Sequence, residues 1–261
     1  MKIDFFKYQG TGNDFIILDN RDHHYNQLRS EQINHLCHRR FGIGADGLML
    51  FNSKEGLDFE MVYFNADGKE GSMCGNGGRC IVKFAYHAGI HKSLYHFQAI
   101  DGIHEAEIDS DGTVSLKMQD VASIEKHFGD YILNTGSPHY VKIVPKADDV
   151  DVVKRGRDIR YSKEYEKEGI NVNFVEQLTE PDKIRVRTYE RGVENETYSC
   201  GTGVTASALV CYHNDTGFND VEVETPGGKL SVEFDRIGEN QFENIWLCGP
   251  AEKVFAGSLE I

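Results

Sequence analysis

Long apolar runs are missing from this sequence. None reaches the ~18 residues that a helix needs to cross a bilayer, which argues against a helical membrane span. The N-terminal stretch Met1-Lys2-Ile3-Asp4-Phe5-Phe6 lacks the apolar core of a signal peptide and carries an aspartate early, so a cytoplasmic location is expected. Positive charge is scarce: 28 Lys and Arg stand against 42 Asp and Glu, a formal net charge of −14. Such a field repels phosphate backbones and anionic lipid, so neither nucleic acid nor a membrane surface is expected as a partner. CxxC spacing is absent, although there are six cysteines: Cys37, Cys74, Cys80, Cys200, Cys211 and Cys248. Neither a zinc knuckle nor a thioredoxin-type motif is indicated, and no metal or cofactor is expected. Nucleotide signatures are incomplete too. Gly10-Thr11-Gly12 lacks the third glycine and runs into the strand-like Phe15-Ile16-Ile17-Leu18, while Gly75-Asn76-Gly77-Gly78 lacks the P-loop Lys-Ser/Thr.

What is present is a repeat. Glu70-Gly71-Ser72-Met73-Cys74-Gly75-Asn76-Gly77 and Glu196-Thr197-Tyr198-Ser199-Cys200-Gly201-Thr202-Gly203 both read E-x-x-x-C-G-x-G, 126 residues apart. At that offset Tyr86-His87 matches Tyr212-His213, and Gly102 matches Gly228. Thr11-Gly12-Asn13-Asp14 is echoed, at an offset of 124, by Thr135-Gly136-Ser137-Pro138. The period is too long for a solenoid and predicts two copies of one domain within the 261 residues. Stretches rich in β-branched and aromatic residues, bounded by Gly, Asp and Asn, predict strands at 2–8, 14–19, 46–52, 58–64, 94–100, 103–108 and 113–118, then at 131–135, 139–144, 170–177, 183–189, 221–225, 229–235 and 242–248. Helices are predicted at 30–40, 77–88, 148–157 and 203–214. The second and fourth are apolar on most faces, hence buried. The expected fold is α/β: two pseudo-symmetric domains, each a barrel-like, mostly antiparallel sheet around a central helix.

Both C-G-x-G segments open one of these buried helices. The first turn of a helix offers backbone N–H groups and partial positive charge. Glycine lets an anion approach that backbone, and a cysteine there has its thiol pKa lowered from about 8.5. Each half thus offers a carboxylate cradle and an activated thiol. One such cysteine says little, but two in matching contexts suit one reaction class. Inverting a carbon centre requires a proton to leave one face and another to arrive on the opposite face. A thiolate and a thiol facing one another across a cleft between the halves do this without metal or pyridoxal.

These residues resemble the diaminopimelate epimerase family, over nearly the whole chain. The resemblance rests on Gly10-Thr11-Gly12-Asn13-Asp14-Phe15, Gly42-Ile43-Gly44-Ala45-Asp46-Gly47, Phe64-Asn65-Ala66-Asp67-Gly68 and Met73-Cys74-Gly75-Asn76-Gly77-Gly78-Arg79-Cys80. It continues through Gly136-Ser137-Pro138-His139, Ile170-Asn171-Val172, Tyr189-Glu190-Arg191-Gly192, Ser199-Cys200-Gly201-Thr202-Gly203 and Gly249-Pro250. It implies interconversion of LL-2,6-diaminopimelate and its meso isomer, a step feeding lysine and peptidoglycan synthesis, and a homodimer. It implies domains at 1–118 with 249–261, and at 119–248. Cys74 and Cys200 would be the acid–base pair, with the reacting carboxylate on the N–H groups of Gly75-Asn76 and Gly201-Thr202. Asn13, Asn65, Asn171 and Arg191 would hold the substrate's charged ends, with Glu190 also at the substrate. His139 and Glu190 would tune the thiols. Many members carry Gln where this chain has Gly47, and Asn where it has Ser137; the serine is carried over as a substrate contact. A proline racemase would share the thiol logic, but Asn65, Asn171 and Arg191 suit a second amino-acid group, which proline lacks.

Overall fold

The computed structural model describes all 261 residues. In chain order the elements are β1 (Lys2–Gly10), β2 (Asn13–Asp19), α1 (Ser30–Cys37), β3 (Gly47–Asn52), β4 (Phe59–Asn65), α2 (Gly75–His87), β5 (Leu94–Ala99), β6 (Gly102–Ile108) and β7 (Val114–Lys117). There follow β8 (Glu125–His127), β9 (Asp130–Asn134), β10 (Pro138–Ile143), α3 (Val152–Arg160), β11 (Asn171–Gln177), β12 (Lys183–Glu190), β13 (Asn195–Thr197), α4 (Gly201–Val210), β14 (Gly217–Thr225), β15 (Gly228–Gly238), β16 (Gln241–Gly249) and β17 (Glu252–Glu260). The chain divides into two compact units, Met1–Leu116 with Pro250–Ile261, and Lys117–Gly249.

In the first unit the strands pair in the order β17-β1-β2-β3-β4-β5-β6-β7. The successive pairings are antiparallel, antiparallel, parallel, antiparallel, parallel, antiparallel, antiparallel. The second unit, in the order β8-β9-β10-β11-β12-β14-β15-β16, repeats that series of pairings in full. The short β13 adds to β12. A parallel pair needs a crossover long enough to carry a helix. Accordingly α1 lies between β2 and β3, α2 between β4 and β5, α3 between β10 and β11, and α4 between β12 and β14.

Each sheet is covered on both faces. In the second unit, α3 packs with Val172, Phe174 and Tyr189 on one face. On the other face, Val204, Ala206, Ala208 and Leu209 of α4 meet Val141, Val175, Val186, Val221 and Phe234. Strands β9 to β12 and β14 to β16 all touch α4, so the sheet curls round it. In the first unit α1 covers Ile16, Leu18, Leu48 and Leu50, and α2 packs on β1, β2, β6 and β17. Burial on both faces explains why β3 is buried at every residue and reads as an apolar run from Leu48 to Phe51. Truncating a core residue such as Leu209 to alanine costs ~2–5 kcal/mol.

Some boundaries differ from expectation. The helix predicted at 203–214 stops at Val210, because Asn219 Oδ1 takes the N–H groups of His213 and Asn214 at 3.2 and 2.8 Å and turns the chain. The helix predicted at 148–157 starts at Val152, where Asp151 caps it by accepting from the Lys154 N–H at 3.0 Å. The first helix ends at Cys37 rather than residue 40, since His38 is extended. Strands β8, β13 and β17 were not predicted. The first two are three residues long, and β17 is exposed along most of its length, so it carries no apolar alternation.

Candidate active site

Both repeated cysteines occupy the position that caps a buried helix. Cys74 precedes α2 with φ −108° and ψ 125°, and Cys200 precedes α4 with φ −114° and ψ 109°. The first intrahelical bonds run from the Gly78 N–H to the Cys74 carbonyl, 2.7 Å, and from the Val204 N–H to the Cys200 carbonyl, 2.8 Å. The N–H groups of Gly75–Gly77 and Gly201–Gly203 therefore lie ahead of the helical ladder, where they favour an anion. Cys74 is half-buried and Cys200 buried.

Around Cys74 the support is built on charge. The thiol donates to Asn13 Oδ1 at 3.5 Å, and the same oxygen accepts from the Asn76 amide at 3.3 Å. Asn13 Nδ2 donates to Asp46 at 2.7 Å. A carboxylate only accepts, so Asp46 fixes which way the Asn13 amide points and turns its oxygen to the thiol. Arg39 holds Asp46 at 2.6 Å and grips Asp14 with two bonds of 2.9 and 2.6 Å. The buried Lys7 meets Asp14 at 2.7 Å. Burial pushes the Asp14 carboxyl up, but Arg39 and Lys7 outweigh it and hold it down at about 2. Behind the turn Arg79, fully buried, donates to Asn76 Oδ1 at 3.0 Å. The hairpin that presents Asn13 has a two-residue loop, Thr11 and Gly12, both at positive φ, which matches a type I′ turn. Asn65 ends β4 with its side chain exposed, and its carbonyl closes a turn by accepting from the Gly68 N–H at 2.9 Å.

Around Cys200 threonines hold the turn. The thiol sits 3.6 Å from the Thr202 hydroxyl, and Thr135 ties the same turn to the β9–β10 loop by donating to the Thr202 carbonyl at 2.8 Å. His139 is fully buried, with Cε1 3.4 Å from where a Cβ on Gly203 would stand. Burial, aided by the Arg191 charge, pushes its pKa down to about 3, so the ring is neutral at pH 7. Asn173 Nδ2 faces both the Tyr140 carbonyl and His139 Nδ1, each at 3.1 Å. The carbonyl can only accept, so that side of the amide is the NH2, and Nδ1 accepts. The ring proton is therefore on Nε2, a buried donor with no acceptor within the protein. Thr188 completes the network by donating to Asn173 Oδ1 at 2.9 Å. A third group forms beside it. Ser137 Oγ accepts from Asn171 Nδ2 at 3.1 Å and from Arg191 at 3.3 Å, and the Arg191 N–H donates to Asn171 Oδ1 at 2.8 Å. Glu190, half-buried, closes β12 immediately before Arg191.

Thus Asn13, Cys74, Gly75 and Asn76 gather in the first unit, and Ser137, His139, Asn171, Arg191, Cys200, Gly201 and Thr202 in the second. Burial sets two of the other cysteines apart as inert, pushing the thiols of Cys37 and Cys211 up to about 12. No cluster of His, Cys, Asp or Glu is arranged to hold a metal ion. Sequence reasoning missed Asp46, Arg39, Asn173 and Thr188. Asn173 had a signal: it shares a strand face with Asn171, and a second amide in an apolar strand must find partners.

Comparison with known proteins follows the repeat. The family model described as diaminopimelate epimerase matches residues 5–124 and again 131–254. A diaminopimelate epimerase of Flavobacterium psychrophilum is 49% identical over 96% of this chain and 97% of its own length. That of Chlorobaculum tepidum is 41% identical over 97% and 99%. Among solved structures, a phenazine biosynthesis protein of the PhzF family from Bacillus anthracis shares the fold with a TM-score of 0.75 at 16% identity, each chain covered completely. A hydroxyproline epimerase from Agrobacterium vitis gives 0.66 at 12% identity, over 99% of this chain and 92% of its own.

Proposed function

Because the chain belongs to the diaminopimelate epimerase family, we propose that it interconverts LL- and meso-2,6-diaminopimelate by a two-thiol acid–base mechanism without cofactor. The observation that carries the mechanism is the matched pair: one cysteine capping one buried helix in each of two topologically equivalent units. One thiolate takes the α-proton from one face of the carbon, and the thiol of the other cysteine delivers a proton to the opposite face. As the α-proton leaves, negative charge grows on the α-carboxylate. The N–H groups at Gly75-Asn76 and Gly201-Thr202 are set to stabilise it there. This chemistry is complete with two thiols, so neither metal nor pyridoxal is required.

The remaining roles are carried over from the family resemblance, and the local geometry supports those of Asn13, His139, Asn171 and Arg191. His139, neutral and with its proton on Nε2, acts beside the first turn of α4 as a hydrogen-bond donor that favours a thiolate, not as a base. Glu190 provides the neighbouring negative charge that tunes the thiol and meets the substrate ammonium. Asn13, Asn65, Asn171 and Arg191 hold the substrate's ends, with Ser137 bridging the last two. The reaction serves lysine and peptidoglycan precursor synthesis in the cytoplasm, with no nucleic-acid or membrane partner. We take the working form as a homodimer, which Val254 and Phe255, 55% and 46% exposed on β17, support as an apolar edge to cover.

One assay tests this reading. The protein is incubated with LL-diaminopimelate in deuterated water, with EDTA and a carbonyl reagent present. The expected result is meso product carrying α-deuterium at the untreated rate. Absence of turnover, or turnover abolished by EDTA and restored by metal, would overturn it.

A further inference from the structure

Gly47 is not a glycine for reasons of backbone freedom, since its φ is not among the positive ones. What excludes a side chain there is what lies against it. A Cβ on Gly47 would stand 2.4 Å from Cε2 and 2.7 Å from Oη of Tyr63, and 2.7 Å from the Phe64 carbonyl. The space a residue-47 side chain would fill is therefore occupied by a phenol whose hydroxyl lies where that side chain would begin.

The register explains the approach. Gly47 pairs with Asn65 and Met49 with Tyr63, so Tyr63 is the diagonal neighbour of Gly47 on one face and leans along the strand over it. The other edge of the ring rests on Gly71, where a Cβ would stand 2.9 Å from both Cδ1 and Cε1. The Asn65 amide nitrogen would be 2.8 Å from that same Cβ, so Tyr63 and Asn65 converge over Gly71. Phe15 packs edge-on against the ring at 6.1 Å, and Phe15 also borders Gly77 of the Cys74 turn. On the far side Gly47 follows Asp46, the residue that holds Asn13. The half-buried Tyr63 thus sets its hydroxyl against Gly47, next in sequence to Asp46, on a ring that shares a strand face with Asn65 and is wedged between two glycines and a phenylalanine.

We propose that Tyr63 is a substrate-binding residue that sets specificity: its hydroxyl donates to the carboxylate at the non-reacting end of the substrate, supplying the polar contact that Gly47 cannot. This rests on the reading of the protein as a diaminopimelate epimerase. A ring locked on both edges presents its hydroxyl with little entropy to lose, which favours a specific contact.

The test uses Tyr63→Phe, which keeps the packing and removes only the hydroxyl. Its KM for LL-diaminopimelate should rise about tenfold with kcat within about twofold, the pattern of a lost contact that does not change during the reaction. Two competitive inhibitors localise the contact: 2-aminopimelate keeps the far carboxylate, and lysine keeps only the far ammonium. The inhibition constant of 2-aminopimelate should rise about tenfold and that of lysine should stay unchanged. Gly47→Ala, whose Cβ would displace the same ring and its hydroxyl, should likewise weaken 2-aminopimelate and leave lysine unchanged. A Tyr63→Phe enzyme with wild-type constants, or one in which both inhibitors weaken together, would overturn the proposal while leaving the epimerase reading intact. A wild-type protein that does not turn over diaminopimelate would take down both.

Discussion

The two units share one series of strand pairings and one way of capping a helix with cysteine, yet they support that cysteine by opposite means. The first unit anchors its thiol through ions: Lys7, Asp14, Arg39 and Asp46 lead to Asn13, whose oxygen meets Cys74. In the second, the Thr202 hydroxyl meets Cys200 and Thr135 ties down the turn, while Thr188, Asn173 and His139 form a buried hydrogen-bonded network against Gly203. The backbone device, a cysteine capping a helix whose first N–H groups lie ahead of the helical ladder, is reproduced by the duplicated fold. The surrounding polar groups are not fixed by the fold. Each unit meets most of its own by different partners, with His139 Nε2 left over in the second.

This comparison can be broken at several points. The largest effect should come from either cysteine. Cys74→Ala or Cys200→Ala should lower epimerisation by at least about 10³-fold, since loss of a positioned proton donor or acceptor costs ~10²–10⁴. Arg191→Lys should lower kcat/KM by about tenfold to a hundredfold. The planar guanidinium reaches Ser137 and the Glu168 carbonyl from two nitrogens, which an ammonium cannot reproduce. Steady-state kinetics with normal values would make Arg191 a surface residue only.

The second glycine of each C-G-x-G motif separates the units by stability. A Cβ on Gly203 would stand 2.4 Å from Asn173 Oδ1, whereas on Gly77 the nearest atoms are 3.5 Å away. Gly203→Ala should cost ~1–3 kcal/mol by overpacking. Gly77→Ala should be neutral or gain up to ~1 kcal/mol, because alanine is the better helix former. Denaturant melts of the two variants would read this directly, and equal losses would contradict it.

The smallest effect lies in acid sensitivity. His139 titrates at about 3 in the folded protein against an ordinary value near 6.5, so the unfolded chain takes the proton first as pH falls. Its contribution is whole above pH 6.5 and is lost as pH drops toward 3. Asp14, held down at about 2, contributes above its usual 3.8 and loses that contribution only below. Unfolding free energies between pH 7 and 4.5 should therefore fall less steeply in His139→Gln than in wild type. Asp14→Asn should leave the slope in that window unchanged.

Most of the architecture was legible because its signals are local and periodic. The alternation in β14, with Val221 and Val223 inward, and the mostly apolar α4 announce themselves. The repeat of C-G-x-G disclosed the pairing of the units. What was hidden depends on contacts between residues distant in sequence. Asp46 was visible only as part of a glycine-rich turn, because nothing in the chain says that it meets Asn13, 33 residues away. In sequence Gly47 is only a position where many family members carry Gln, and the diagonal register of β3 and β4 is what shows Tyr63 against it. Strand β17 escaped because its register comes from β1, near the other end of the chain.

The division of labour between the units is tested most directly by isotope exchange in the single cysteine variants. Each variant is incubated in deuterated water with LL- or with meso-diaminopimelate, and α-deuterium is followed with configuration retained. We propose that Cys74 takes the proton from the LL isomer and Cys200 from the meso isomer. Cys200→Ala should then still exchange the LL substrate while making no meso product, and Cys74→Ala should show the mirror pattern from meso substrate. If Cys200→Ala epimerises at the wild-type rate, the two-thiol mechanism is wrong for this protein.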